Sequence, residues 1–181
     1  MGKHAIIVLA DGFEEIEAVT PIDLLRRAGI QVTILGMHSP EVRGSHDIVV
    51  KAAMLFDNFA ASFDALVLPG GPGHKHLLGS DKLLEKIRAT HAQNLLCAAI
   101  CAAPIVLAKA GILKGKKATC FPGEEENLTG AIFVEKETVV DGNIITSRGA
   151  GTSVNFALEI IAYLAGREKA DWVAEKIVFN K

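Results

Sequence analysis

Short, continuous aliphatic runs alternate along this chain with stretches of helical spacing, and this alternation leaves few folds open to it. The runs at 5–10, 31–36, 65–68 and 94–100 have the length and flanks of buried strands. Strands joined through helices by short links pair in parallel, with a right-handed crossover. The pattern therefore predicts an α/β fold: a three-layer α/β/α sandwich with a mostly parallel sheet and helices on both faces.

Helical spacing and turn signals predict the remaining elements. Helices are expected at 14–28, 80–91, 102–110, 153–164 and 168–177, with a short acidic helix at 123–128. The apolar face of the first helix is expected to include Ile16 and Val19, and Pro21 predicts either a kink or two helices. An irregular hairpin or edge element is expected at 42–54. Further strands are expected at 116–120, 132–134, 138–140 and 143–146.

Composition sets the class of protein. At 181 residues the chain is expected to form one domain, 1–181, with a core of Ala, Val, Ile and Leu. A net charge of −2 without a basic block argues against nucleic acid, and no apolar run is long enough to cross a membrane or act as a signal sequence. Three cysteines do not make a disulfide framework. We therefore expect a reduced, cytoplasmic protein.

Four loops of small or charged residues are expected at the carboxyl ends of the strands, where ligand sites of such sheets collect. They lie at 11–17, 69–73, 101–103 and 147–152. In the third of these, Cys101 follows a predicted strand and precedes a predicted helix. Free N–H groups of that helix are expected to make its thiol more acidic than a free one. The alternative is an inert, buried cysteine.

Carboxylates and glycines supply the other candidates. Glu14, Glu15 and Glu17 open the first helix, where they can simply complement its dipole. Glu17 is the best candidate to face the thiol, and partial burial is expected to raise its pKa so that it can shuttle a proton.

Gly70 and Gly71 can form a plain turn, or they can bring backbone close to a ligand. In the second case the N–H groups of Gly71 and Ala102 form an oxyanion hole. The glycines lack the spacing of a dinucleotide fingerprint.

The remaining polar candidates are weaker. Cys97 is expected in the core, whereas Cys120 can border the site as a second oxidisable thiol. Arg148 can pair with a substrate carboxylate, with a partner subunit, or within the fold. The histidines are expected on the surface, with His74 and His76 flanking Lys75 in one loop and the other four isolated, and no metal site is predicted. They are His4, His38, His46, His74, His76 and His91.

Five segments together resemble the ThiJ/PfpI superfamily, and within it the branch of the parkinsonism-associated deglycase and its bacterial chaperone relatives. The resemblance covers essentially the whole chain. The segments are 12–19 (GFEEIEAV), 24–30 (LLRRAGI), 67–71 (VLPGG), 98–104 (AAICAAP) and 146–153 (TSRGAGTS).

The resemblance implies a flavodoxin-like fold, a homodimer, and no cofactor. It implies that Cys101 is a reactive, oxidisable nucleophile, that Glu17 is protonated against it, and that Gly70, Gly71, Ala102, Glu14 and Arg148 surround the substrate. Members convert methylglyoxal or glyoxal to hydroxy acids or act on glycated proteins, and alternatively serve as redox sensors and chaperones.

Two departures from the family pattern matter. Ala102 stands where superfamily proteases have a histidine, which argues against a peptidase. Phe121, before Pro122, stands where the deglycase branch often has a histidine. Glu17 is thus left as the proton shuttle.

Overall fold

The computed structural model of the chain, which describes residues 2–179, places the strands predicted from the four long aliphatic runs in one central sheet. The strands are β1 (His4–Leu9), β2 (Gln31–Gly36), β3 (Glu41–Arg43), β4 (Val49–Lys51), β5 (Met54–Leu55), β6 (Ala65–Leu68), β7 (Leu96–Ile100), β8 (Lys117–Ala118), β9 (Ile132–Phe133), β10 (Thr138–Asp141) and β11 (Ile144–Ser147). The helices are α1 (Glu15–Arg27), α2 (His74–Leu78), α3 (Asp81–Ala92), α4 (Pro104–Lys109), α5 (Ser153–Ala165) and α6 (Arg167–Lys176).

The order of the central sheet is β10-β11-β7-β6-β1-β2-β5, and every neighbouring pair is parallel except β10 with β11. Apart from the short edge strand β5, the parallel strands follow the flavodoxin-like order 2-1-3-4-5 when counted along the chain. The direction of the strand order reverses between β1 and β6. This switch point is where such sheets bind ligands.

Alternate side chains of β1 enter two separate cores, one on each face of the sheet. Ala5, Ile7 and Leu9 pack with the buried faces of α1 and α5. Ile6 and Val8 pack instead with residues of α3 and α4. Because both faces of the strand are covered, its sequence is a continuous aliphatic run rather than an alternating one. The predicted three-layer sandwich is confirmed.

Helix α1 is a single helix rather than two, and its apolar face differs from the prediction. It runs through Pro21 as one helix from Glu15 to Arg27. Ile16 and Val19 are exposed rather than in the core, whereas Glu15 and Glu17 are buried. The helix therefore turns its acidic side chains inward at its amino end and leaves apolar ones in contact with solvent.

Other corrections concern short elements. Helix α2 is not among the predicted helices, because Pro72, Gly73 and two histidines obscure its spacing. β8 spans two residues and pairs with β9 in a separate sheet. The irregular segment 42–54 is resolved into the hairpin β3–β4 and the edge strand β5. Among residues 2–179, no helix combines the length and hydropathy that crossing a bilayer requires.

Candidate active site

The four predicted loops do meet at the carboxyl ends of β1, β6, β7 and β11. Gly73 N–H donates to Gly12 O at 2.8 Å, and Glu14 N–H donates to Gly70 O at 3.1 Å. Cys101 N–H donates to Ser147 O at 2.9 Å. These backbone bonds tie the loops to one another at the switch point of the sheet.

Cys101 occupies the sharp turn between β7 and α4. Its φ is +65°, a left-handed conformation that a non-glycine residue rarely adopts, so the surrounding structure must hold it there. The residue is 8% exposed. The backbone N–H groups of Gly71 and Ala102 both donate toward its sulfur. The predicted pair of donors therefore surrounds the predicted nucleophile.

Gly70 and Gly71 are glycines because the site leaves no room for a side chain. A Cβ on Gly70 would lie 2.7 Å from Cys101 Cβ and 2.9 Å from Glu17 Oε2. Gly71 has a φ of +80°, and a Cβ there would lie 2.6 Å from Glu14 N. The close approach of the loop 69–73 to the cysteine turn depends on both.

Glu17 projects from the first turn of α1 into this space and is only 1% exposed. Its Oε2 accepts a hydrogen bond from Gly70 N–H at 2.9 Å. Its Oε1 is buried and has no well-formed hydrogen bond among residues 2–179. The Cys101 thiol lies within reach of the same carboxyl group, without the geometry of a strong bond.

The pKa values of Cys101 and Glu17 depend on each other. Burial raises the pKa of Glu17 to about 7, as the sequence predicted. Burial and the negative charge of Glu17 raise the pKa of Cys101 to about 12, although the N–H groups of Gly71 and Ala102 oppose this. Between these two values the pair holds one shared proton.

The prediction of an acidified thiol is wrong for a cysteine that faces an ionised Glu17. It relied on the end of a helix, but α4 has only six residues, and burial outweighs its effect. The charge of Glu17 acts against the thiolate only while Glu17 is ionised. When the shared proton lies on Glu17, that repulsion is absent and the carboxyl group can donate to the sulfur.

Glu14 and Arg148 have structural partners in this fold. Glu14 caps α1, since its Oε2 accepts from Glu17 N–H at 2.8 Å. Its charge adds to the rise in the pKa of Glu17. Arg148 Nη1 forms an ion pair with Glu135 Oε1 at 2.9 Å, which is the within-fold pairing that the sequence left open.

The remaining predicted side chains lie either in the core or at the opening of the site. Cys97 is fully buried in the core, as expected. Cys120 is fully buried too, and burial raises the pKa of its thiol to about 12, which disfavours the thiolate needed for oxidation. Phe121, by contrast, is 48% exposed, and its N–H donates to Cys101 O at 2.8 Å. Its ring lies close to Gly149 in the fourth loop.

Sequence reasoning missed a polar cluster beside the site. Glu15 is buried and accepts hydrogen bonds from Ser45 Oγ at 3.1 Å, His46 N–H at 2.6 Å and His46 Nδ1 at 3.0 Å. Burial would raise the pKa of Glu15, but the His46 and Ser45 bonds outweigh it and lower that pKa to about 2. Glu14, Glu15 and His46 offer ligand atoms within 4.8 Å of one another, although no metal was predicted. The hydrogen bonds already account for this arrangement.

His38 and His46 are less isolated than predicted. His46 pairs with Glu15, which raises the pKa of the imidazole. The rings of His38 and His76 meet edge to face at 6.0 Å. His74 Nδ1 donates to Gly71 O at 2.9 Å and so helps to hold the glycine loop. In the sequence, these contacts are indicated only by the position of the histidines in loops.

The fold and the site define a flavodoxin-like α/β protein with a cysteine and a carboxylic acid at its switch point. The chain matches the model of the DJ-1/PfpI family over residues 3–163.

Relatives cover nearly the whole chain. It is 43% identical over 183 residues to Protein dj-1beta of Drosophila melanogaster, with 98% of each chain covered. It is 36% identical over 186 residues to the Parkinson disease protein 7 homolog of Danio rerio, covering 99% of this chain and 98% of the relative. The crystal structure of Drosophila melanogaster DJ-1beta superposes with a TM-score of 0.96 at 40% identity, covering 100% of both chains. The chain therefore belongs to the DJ-1/PfpI family, as its motifs predicted.

Proposed function

We propose that this protein is a cysteine-dependent enzyme of the glyoxalase or deglycase type, which needs no cofactor. Its substrates are small 2-oxoaldehydes such as methylglyoxal and glyoxal, or the early adducts that these aldehydes form with proteins. The observation that carries the proposal is the placement of Cys101, two backbone donors and a buried Glu17 carboxyl group in one small space.

In the first step the sulfur of Cys101 adds to the aldehyde carbon and forms a C–S bond. The carbonyl oxygen becomes an oxyanion, which the N–H groups of Gly71 and Ala102 stabilise. This oxygen then takes up the proton that Cys101 and Glu17 share, which gives a neutral hemithioacetal. Because both donors already point at the sulfur, little rearrangement is needed for them to meet the new oxyanion.

Glu17 moves the next proton. Its carboxylate takes the proton from the former aldehyde carbon and returns it to the neighbouring carbonyl carbon, while the proton of the hemithioacetal hydroxyl passes to the oxygen of that neighbouring carbon, which gives a 2-hydroxy thioester. One carbon is oxidised by two electrons and its neighbour is reduced by two, so no external oxidant takes part. Water then cleaves the thioester, releases the 2-hydroxy acid and regenerates the thiol. Among residues 2–179, Oε1 of Glu17 accepts no well-formed hydrogen bond, which suits this role.

The test is lactate formation from methylglyoxal, followed by NMR. We expect Cys101→Ser to lower the rate by at least about a hundredfold. Cys97→Ala serves as a matched control, because it removes a buried thiol in the core rather than at the site. Equal rates for the wild type and Cys101→Ser would refute the proposal.

A second function, peroxide sensing, is favoured by the same unpartnered Oε1 of Glu17. Two equivalents of peroxide convert the thiolate to a sulfinate and release two waters. Protonated Glu17 and the two N–H groups would hold the sulfinate oxygens, and oxidation would alter chaperone or partner binding. Intact mass after graded peroxide distinguishes the functions. A selective gain of two oxygens at Cys101, with negligible lactate formation, would favour the sensor.

The homodimer implied by the family resemblance is part of this proposal. Ile16 and Val19 on α1 and Ile48 and Val49 on the hairpin β3–β4 are large apolar side chains exposed to solvent. The Glu15 bonds to Ser45 and His46 join the same two elements. Such a concentration of exposed apolar residues suits an interface between two copies of the chain.

A further inference from the structure

A cavity of about 240 Å³ lies at the opposite edge of the sheet from the candidate active site. It is bordered by the segment that enters β6 and by the carboxyl half of α3. Phe63 and Leu95, which line it, precede the parallel strands β6 and β7, whereas Cys101 follows β7. Drug-sized ligands occupy pockets of roughly 300–1,000 Å³, so this cavity suits a smaller molecule.

The apolar part of the lining is held in place by the fold. It consists of Ala61, Phe63, Ala89 and Leu95. Phe63 packs against the core cluster that contains Ile6 and Val8, and its ring lies 6.0 Å from that of Phe59. The segment before β6 is tied to β1, since His4 Nδ1 donates to Ser62 O at 2.9 Å. A ligand therefore meets an apolar wall that is already formed.

Lys86 is the one charged residue that lines this cavity among residues 2–179. Its side chain is half-buried, and within the same part of the chain its ammonium group makes no ion pair, hydrogen bond or cation–π contact. Lys82, one turn earlier on α3, is instead paired with Asp57 at 2.9 Å. The ammonium group of Lys86 is thus available to an anion.

The other polar groups of the lining also suit an anion. The hydroxyl group of Ser62 and the side-chain amide of Gln93 can each donate a hydrogen bond. A neighbouring cavity on the other side of Lys86 is lined by Asp57 and Glu85, whose charges would repel an anion. An anion is therefore favoured on the side of Phe63 alone.

We propose that the cavity between the entry to β6 and α3 binds a small apolar monocarboxylate. Its carboxylate group pairs with the ammonium group of Lys86, and its hydrocarbon body packs against Phe63 and Leu95. One lysine balances one unit of charge, which favours a monocarboxylate over a doubly charged phosphate. The apolar wall favours an aromatic or aliphatic body over an inorganic ion. This site is separate from the proposed catalysis.

The experiment titrates benzoate into the ¹⁵N-labelled protein at neutral pH and follows the backbone amides by NMR. Saturable shifts are expected at Phe63, Gln93 and Leu95. Lys86→Met keeps an apolar stem and is expected to raise the Kd of benzoate about tenfold. Arg88→Met removes the same charge from an exposed position on the same helix, outside the cavity lining, and is expected to change the Kd less than about twofold.

Benzyl alcohol, a neutral molecule of similar shape, tests the role of charge without relying on a variant. It is expected to bind the wild type about tenfold more weakly than benzoate, and to bind Lys86→Met as it binds the wild type. Thermal unfolding of each variant checks that folding is unchanged.

Four results would overturn the proposal. One is the absence of saturable shifts up to about 10 mM benzoate. Another is a set of shifts at Cys101 and Gly71 without shifts at Phe63 and Leu95, which would place the carboxylate in the candidate active site. The third is an equal loss of affinity in Lys86→Met and Arg88→Met. The last is equal affinity of the wild type for benzoate and benzyl alcohol.

Discussion

Cys101 and Glu17 act on each other more strongly than either is affected by its own element. A buried carboxyl group beside a buried thiol cannot hold two negative charges, so the pair keeps one proton over a wide pH range. The N–H groups of Gly71 and Ala102 favour negative charge on sulfur, and the unpartnered Oε1 favours a proton on Glu17. Both influences favour moving the shared proton from the sulfur to Glu17, and the first step of the proposed reaction uses this transfer.

Glu15 affects stability rather than the proposed chemistry. Its folded pKa of about 2 lies below the ordinary value of 4.5, so its bonds stabilise the fold above about pH 4.5, and this stability is lost as the pH falls toward 2. We expect wild-type unfolding free energy to fall in that window by up to about 2 kcal/mol more than that of Glu15→Gln, allowing for solvent screening at exposed His46.

Urea unfolding at several pH values measures this difference. Glu126→Gln, which changes an exposed carboxylate, is the control and is expected to follow the wild type. Parallel pH profiles for the wild type and Glu15→Gln would show that Glu15 contributes nothing to acid sensitivity.

At the scale of elements, the long strands could be predicted and the short ones could not. β2 and β6 have their predicted bounds. A short run of aliphatic residues between turn signals is typical of a buried strand in a chain of this size. β8 and β9 have two residues each, and their pairing in a separate sheet depends on contacts that no local pattern encodes. Helix α2 was missed for a related reason, since five residues give too little periodicity.

The candidate site could be predicted better than its polar surroundings. Cys101, Glu17 and the glycine loop each follow a strand of the same parallel sheet, so topology alone brings them together. The contact between Glu15 and His46 joins residues 31 positions apart, across a hairpin whose path the sequence does not specify. Whether a thiol is acidified depends on burial and on the charge of its neighbour, and neither can be measured on a sequence.

The glycine loop is expected to tolerate no side chain at Gly71. Gly71→Ala would force a left-handed φ on alanine and place its Cβ 2.6 Å from Glu14 N. We expect the free energy of unfolding to fall by about 2–3 kcal/mol. Gly79→Ala, whose nearest contact would be 3.6 Å, is expected to change it by less than about 0.5 kcal/mol. Chemical denaturation measures both, and equal losses would contradict the steric account.

At the scale of the whole molecule, the apolar side chains on α1 and the β3–β4 hairpin are expected to form the dimer interface. A charge placed among them would be buried without a partner. We expect Ile48→Asp to convert a dimer to a monomer in light scattering at micromolar concentration. Ile132→Asp, at a position 53% exposed against 54% for Ile48, is the matched control on β9 and is expected to stay dimeric. A dimeric Ile48→Asp would place the interface elsewhere.

The central claim is that Cys101 and Glu17 share one proton above about pH 7, so that the ionised Glu17 keeps the Cys101 thiol protonated until the sulfur reacts. Ultraviolet titration of the thiolate in the wild type, with Cys101→Ser as the blank, tests this most directly. The account predicts no rise in thiolate absorbance attributable to Cys101 near pH 7, where Glu17 ionises, because burial and that charge raise the pKa of the thiol to about 12. A thiolate rise with a midpoint at or below about pH 7 would show that the sulfur loses its proton before Glu17 does, and it would contradict the account.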